Sequence, residues 1–307
     1  MSKPILATRA LTKRYGAAAA VEDVDLCLEK GQIYGLVGRN GAGKTTIIRM
    51  LTAQTLPASG EIELFGETTP RGLSAARARV GAMVEIPSFY PYLTAAENLE
   101  YYRRQRGIPG QACVGQVLEQ VGLQGAGKKK FKHFSLGMKQ RLGLGLALMN
   151  HPDLLLLDEP INGLDPEGIV EFRNLLLDLN RQRETTILIS SHILSELSNV
   201  ATHFGFLDKG HMLEQISAQA LREKCRACLQ ITVDDTARAA LALEQRLDTR
   251  DYEVLPGNVL RLYGFLDRPQ AVAAVLTEMK VALLGLENRS ANLEDYFLGL
   301  IGGVRHG

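Results

Sequence analysis

The chain has 307 residues, 46% of them hydrophobic and 22% charged, with a formal net charge of +1. A chain of that size buries a core without metal or disulfide staples and has room for one large domain plus a smaller one. The near-neutral balance excludes a global basic field for nucleic acid or an anionic membrane surface, so no nucleic-acid partner is expected.

In chain order, short strands are predicted at residues 5–9 and 24–28. A buried strand at 33–37 runs into a glycine-rich loop, and a helix follows Lys44 on the spacing of Ile47, Ile48, Met50 and Leu51. The block from about 93 to 150 is helical. Thr94 and Glu97 form a capping box, a second helix covers 114–121, and a third runs from Ser135 through Leu148. Residues 154–157 are four leucines closed by Asp158, Glu159 and Pro160, which suits a strand buried on both faces of a parallel sheet. Further strands are predicted at 186–190 and 204–207, so the class is α/β with a mainly parallel core sheet.

Beyond about residue 218 the expected order is strand 229–233, helix 236–247, strands 253–255 and 259–262, helix 269–279 and strand 281–286. That is the split-βαβ order of a small α+β domain over 219–307, closed by a helix at 292–300. The cysteines are Cys27, Cys113, Cys225 and Cys228. Their scatter fits a reducing compartment, and the C-x-x-C at 225–228 lacks the second pair or His cluster of a metal site. The chain shows no signal-peptide pattern and no apolar run approaching the ~18 residues of a membrane span, so a soluble, cytoplasmic chain is expected.

Gly38, Gly43, Lys44 and Thr45 fit G-x-x-x-x-G-K-S/T between a strand and a helix. The glycines let backbone amides close on phosphate, and the helix directs its positive end to the same place. Lys44 is expected to reach the β- and γ-phosphates of ATP, and the Thr45 hydroxyl to hold Mg²⁺. Asp158 and Glu159 end a strand on the edge where α/β sheets bind ligands. Strand alternation predicts that Asp158 faces Mg²⁺ while Glu159 orients or deprotonates a water; the plainer role for Glu159 is a cap on the next segment. His192 follows another strand at that edge, within expected reach of the γ-phosphate.

With these residues in view, the chain resembles the ATP-binding subunits of ABC transporters over about residues 4–220. Tyr15 matches the aromatic residue that stacks on adenine. Gly38, Asn40, Gly41, Ala42, Gly43, Lys44, Thr45 and Thr46 fall in Walker A. Ser135, Leu136, Gly137 and Met138 fall in the signature motif usually written LSGGQ. Asp158 and Glu159 match Walker B with its catalytic glutamate, Asp165 falls in the D-loop, and His192 matches the switch histidine.

The resemblance implies a P-loop ATPase domain at 1–218 with an inserted helical subdomain. It also implies a homodimer, or a heterodimer with a related subunit, in which Ser135 and Gly137 of one chain close over ATP on the other. A separate integral membrane permease would be contacted around residues 85–98, with Phe89, Tyr90 and Tyr92 partly exposed, and the chain would sit at the cytoplasmic face of the membrane. Glu85 stands where a glutamine that contacts Mg²⁺ is usual, while Leu136 and Met138 depart from the common signature. These departures, with the ending Asn292, Leu293, Glu294, Asp295, Tyr296 and Phe297, resemble the subgroup for bacitracin and lantibiotic peptides. A soluble ABC-type ATPase of translation or DNA repair is the alternative; it usually carries two ATPase halves or coiled-coil insertions, which this chain lacks. A small-molecule P-loop kinase would have no use for residues 135–141 or His192.

Overall fold

The computed structural model describes residues 3–85, 88–289 and 293–303. Contacts cluster into two units, Met1–Ala218 and Gln219–Gly307. In chain order the first unit contains β1 (Leu6–Tyr15), β2 (Ala18–Leu28), β3 (Ile33–Gly38), α1 (Lys44–Leu51), β4 (Ser59–Leu64), α2 (Pro70–Ala76) and β5 (Val80–Met83). It continues with α3 (Ala95–Gln105), α4 (Ala112–Gln120), α5 (Leu136–Leu148), β6 (Leu154–Asp158), α6 (Pro166–Arg183), β7 (Thr186–Ser191), α7 (Leu194–Ser198), β8 (His203–Asp208) and β9 (His211–Ser217).

The large sheet has the order β5-β6-β7-β3-β8-β9, parallel except for the antiparallel β8–β9 edge. Leu154, Leu155, Leu156 and Leu157 are all fully buried, as a strand covered on both faces requires. Each contributes about 1.5–3 kcal/mol by leaving water. Leu154 and Leu156 join Tyr34, Leu36 and Leu188 in a core shared with α1 and the smaller sheet β2-β1-β4. The parallel strands β6, β7 and β3 are neighbours in register, so their carboxyl ends and the loops after them share one edge.

Strands β1 and β2 are longer than residues 5–9 and 24–28. The register slips between Thr8 and Leu11, and Ala10 and Asp23 adopt left-handed backbone with φ of 48° and 47°. Asp25 Oδ1 accepts from the Ala10 amide at 2.7 Å, and Thr12 Oγ1 accepts from the Asp23 amide at 3.0 Å. These bulges shift the two-residue alternation by one, so the pattern stops while the ladder continues.

Between β5 and β6 lies the helical block. Thr94 Oγ1 accepts from the Glu97 amide at 3.2 Å and Glu97 Oε2 from the Thr94 amide at 2.7 Å, completing the capping box of α3. The Thr94 amide also holds the Glu97 carboxyl below its usual range. Ser135 caps α5.

The second unit carries β10 (Cys228–Val233), α9 (Thr236–Leu247), β11 (Tyr252–Leu255), β12 (Val259–Leu262), α10 (Pro269–Glu278), β13 (Leu283–Arg289) and α11 (Leu293–Gly303), after α8 (Ala218–Lys224) at the junction in sequence. The antiparallel order β11-β12-β10-β13 is that of a split βαβ fold, with Leu229, Ile231, Leu260 and Leu262 packed on α9 and α10. The last strand starts at Leu283 instead of residue 281. Val281 lies in the turn after α10, its amide donating back to Leu276 O at 2.9 Å, while the polar Glu287, Asn288 and Arg289 still pair with β10. Asn292, where the final helix was expected to begin, lies outside the described residues. Among the described residues no helix is long and apolar enough to cross a membrane.

Candidate functional site

The loop after β3 is shaped by backbone that side chains resist. Gly41 has φ of 81° and Gly43 of 110°, and a Cβ on Gly43 would lie 2.6 Å from the Ala20 carbonyl oxygen. The first turn of α1 has no side-chain cap and no acidic residue, so its amides and positive end face an open loop. Lys44 is 5% exposed; its Nζ donates to Gly38 O at 2.6 Å and lies 3.1 Å from Glu159 Oε1. It also donates to Arg39 O at 3.2 Å, so a buried ammonium is held here by three oxygens, whose place a phosphate can take. Thr45 and Thr46 are half-buried, Ala42 is buried, and Asn40 is exposed at the rim.

Asp158 is the last residue of β6. Glu159 leaves the strand in a left-handed conformation, φ 47°, so this turn and not the pleat separates the two carboxylates. Ser190 at the end of β7 holds both: its Oγ donates to Asp158 Oδ1 at 2.7 Å and accepts the Glu159 amide at 3.0 Å. His192 Nδ1 lies 2.8 Å from Glu159 Oε2. Lys44, Asp158, Glu159, Ser190 and His192 are therefore one cluster, and His192 addresses the glutamate.

Ser190 was not singled out from the sequence; a hydroxyl ending the strand two residues before His192 was the available signal. Ser190→Ala is expected to lower unfolding free energy by about 1–3 kcal/mol, because a buried carboxylate loses its donor. Urea denaturation reads this directly, and an unchanged midpoint would show that Asp158 finds another donor.

Among the described residues no hydrogen bond or ion pair joins Tyr15, Glu85, Ser135 or Gly137 to the cluster. Tyr15 is 51% exposed with Lys13 Nζ 5.2 Å from its ring centroid, leaving the ring accessible. Ser135 Oγ accepts from the Met138 amide at 3.3 Å, and among the described residues no hydrogen bond joins Ser135 or Gly137 to Lys44 or Glu159. Leu136 has a packing role: a Cβ on Gly163, φ 77°, would lie 2.8 Å from Leu136 Cδ2, so the signature leucine sits against the loop after β6. Glu85, at φ 61° and expected near Mg²⁺, pairs with Arg49 of α1. Phe89 is buried, unlike the exposed Tyr90 and Tyr92, because it packs on Tyr102 and Phe131. Residues 86 and 87 of that loop lie outside the described residues. Burial pushes the Cys225 and Cys228 thiols up, depleting the reactive thiolate.

The family model described as ABC transporter matches residues 21–162. The chain is 44% identical over 299 residues to the bacitracin transport ATP-binding protein BcrA of Bacillus licheniformis, covering 97% of this chain and 98% of that one. It is 40% identical over 204 residues to the lantibiotic transport ATP-binding protein SrtF of Streptococcus pyogenes, covering 66% of this chain and 86% of that one. The fold matches cbiO1 of Clostridium perfringens, part of an ABC transporter complex, with a TM-score of 0.66 at 20% identity over 80% of this chain and 97% of that one. The near full-length likeness to BcrA and the matched family model agree with a glycine-rich loop whose Lys44 meets Glu159: this chain belongs to the ATP-binding subunits of ABC transporters and is an ATPase of that family.

Proposed function

We propose that this subunit works as a dimer that powers a separate membrane permease exporting a peptide antibiotic or another drug-like or hydrophobic substrate. The observation that carries the catalytic part is the Lys44–Glu159–His192 cluster at the open end of α1. The substrate class rests on the relatives named for bacitracin and lantibiotic transport.

The residues present suit a magnesium ion. Asp158 keeps one oxygen on Ser190, and no hydrogen bond among the described residues engages the other; Thr45 offers a hydroxyl in the first turn of α1. Mg²⁺ held by Thr45 and Asp158 would neutralise phosphate charge. The amides after Gly41 would cradle the phosphates while Lys44 moves from Glu159 to phosphate oxygen, freeing Glu159 Oε1 to accept a proton. Glu159 takes that proton from a water whose oxygen bonds the γ-phosphorus, as the bond to the β-phosphate oxygen breaks and ADP leaves. His192, on the other carboxylate oxygen, keeps the base oriented.

Ser135 and Gly137 are far from complete as a site in one chain. Their role is to close over nucleotide held by a second chain, identical or closely related, so a monomer is a poor ATPase. The permease contact is assigned to residues 85–98 and the adjoining helical block, with the subunit at the cytoplasmic face of the membrane. The discriminating experiment is reconstitution with any membrane permease encoded beside it: bacitracin-type peptide should stimulate ATP hydrolysis and be transported. Failure to associate with any such permease would remove the transporter assignment.

Glu85→Gln is expected to keep ATPase activity within about threefold, since an exposed ion pair such as Glu85–Arg49 contributes only about 0–1 kcal/mol. Steady-state phosphate release checks it, and complete inactivity would mean that the carboxylate itself is essential.

A further inference from the structure

We infer that the lysine-rich run at residues 128–133, with exposed Tyr90 and Tyr92, is a docking surface for an acidic cytoplasmic segment of the permease. This rests on the permease reading above and specifies the chemistry of the partner.

Lys128, Lys129, Lys130, Lys132 and His133 crowd into six positions, and Lys139 follows, although the whole chain carries only +1. Lys130 meets Glu97 at 3.4 Å. Among the described residues no carboxylate comes within ion-pair distance of Lys128, Lys129, Lys132 or Lys139. The fold therefore concentrates positive charge and leaves most of it unneutralised at this place. Like charges held side by side repel one another, so an arrangement that keeps them together favours an external anion.

The run is held firmly on the loop assigned to the permease. The Phe131 amide donates to Leu93 O at 2.9 Å and the Lys132 amide to Pro91 O at 2.9 Å, with a β-bridge between Thr94 and Lys130. Beneath it, Phe131 packs on Phe89 at 5.2 Å and on Phe134 at 5.7 Å between ring centroids. Above it, Tyr92 is 70% exposed with Lys132 Nζ 4.8 Å from its ring, and Tyr90 stacks edge-on against Tyr101 at 4.7 Å.

Solvated lysines alone would need no explanation. Exposed tyrosines on an ordered base match a protein interface better than a solvated face, and the unneutralised lysines beside them select a partner of opposite charge. An anionic lipid surface is better served by an amphipathic helix with apolar side chains to insert, and this segment is a short connection with its phenylalanines turned inward. An acidic peptide segment carrying an apolar or aromatic anchor answers both features, the carboxylates to the lysines and the anchor to the tyrosines.

The test uses the full chain with Lys128→Glu, Lys129→Glu and Lys132→Glu combined. All three side chains are exposed, so folding should be kept, as unfolding temperature will verify. The detergent-solubilised permease is titrated with wild type and variant over a salt series. The dissociation constant is expected to rise about tenfold or more at low salt, and the wild-type salt dependence to flatten in the variant. ATPase activity of the subunit without permease should be unchanged.

Equal permease affinity in the variant overturns the inference while leaving the permease reading intact, whereas failure of the wild type to bind overturns that reading itself. Loss of permease-free ATPase activity would assign the run to the nucleotide of the partner subunit instead. Reduced binding to permease-free phosphatidylglycerol vesicles, with permease affinity unchanged, would assign it to lipid.

Discussion

Glu159→Gln is expected to bind ATP with near wild-type affinity and to lower kcat about 100- to 10,000-fold, the usual range for a lost general base. The amide keeps the size and one acceptor of the carboxylate, so the loop and Lys44 need not move. It does not accept the proton of attacking water. Since Lys44 Nζ lies 3.1 Å from Glu159 Oε1, the substitution also releases the lysine from an ion pair in the nucleotide-free chain, which favours binding over hydrolysis. A long-lived ATP-bound dimer should therefore accumulate, visible by size-exclusion chromatography with ATP and absent with ADP. Full turnover in this variant would take Glu159 out of the chemistry.

Lys44→Ala is expected to weaken ATP binding at least 10- to 100-fold. Charged hydrogen bonds contribute about 1.5–3 kcal/mol each, and about 1.4 kcal/mol is a factor of ten. The same change should lower stability in the nucleotide-free state. Lys44 is buried with donors directed at Gly38 O and Arg39 O, at 2.6 and 3.2 Å, and with Glu159 beside it. Removing it leaves a carboxylate and two carbonyls without their cation, at a cost of about 1–3 kcal/mol. Titration with a fluorescent nucleotide and a thermal melt separate the two effects. Binding close to wild type would show that the loop amides suffice.

The contrast between these residues and Glu85 is one of burial. Glu159 and Lys44 lose 79% and 95% of their side-chain exposure, for side-chain accessibilities of 21% and 5%. Glu85 keeps 63%. Water screens the Arg49–Glu85 pair and leaves the Lys44–Glu159 pair strong, which is why one substitution should be tolerated and the other should not.

The phosphate loop, the leucine strand ending in Asp158, the capping box at Thr94 and the cap at Ser135 were legible in the amino-acid order. Each depends on residues within a few positions of one another, where glycine freedom, apolar runs and short side-chain-to-amide bonds leave a local signature. The helices and strands of residues 228–289 were legible for the same reason, apart from the shift at Val281. The bulges at Ala10 and Asp23 were not, since neither carries the glycine that usually marks left-handed backbone.

Only the tertiary structure decided that His192 meets Glu159, that Ser190 holds Asp158 and the Glu159 amide together, and that Lys44 rests on Glu159 in the free chain. It likewise decided that Glu85 faces Arg49 and that Leu136 packs against Gly163. These contacts follow from the strand order β6-β7-β3, which brings separate carboxyl ends to one edge. Backbone ladders form between strands whatever their side chains, so the residues of one strand do not specify its neighbour. That choice is made by how the apolar faces of all the strands and helices bury one another together.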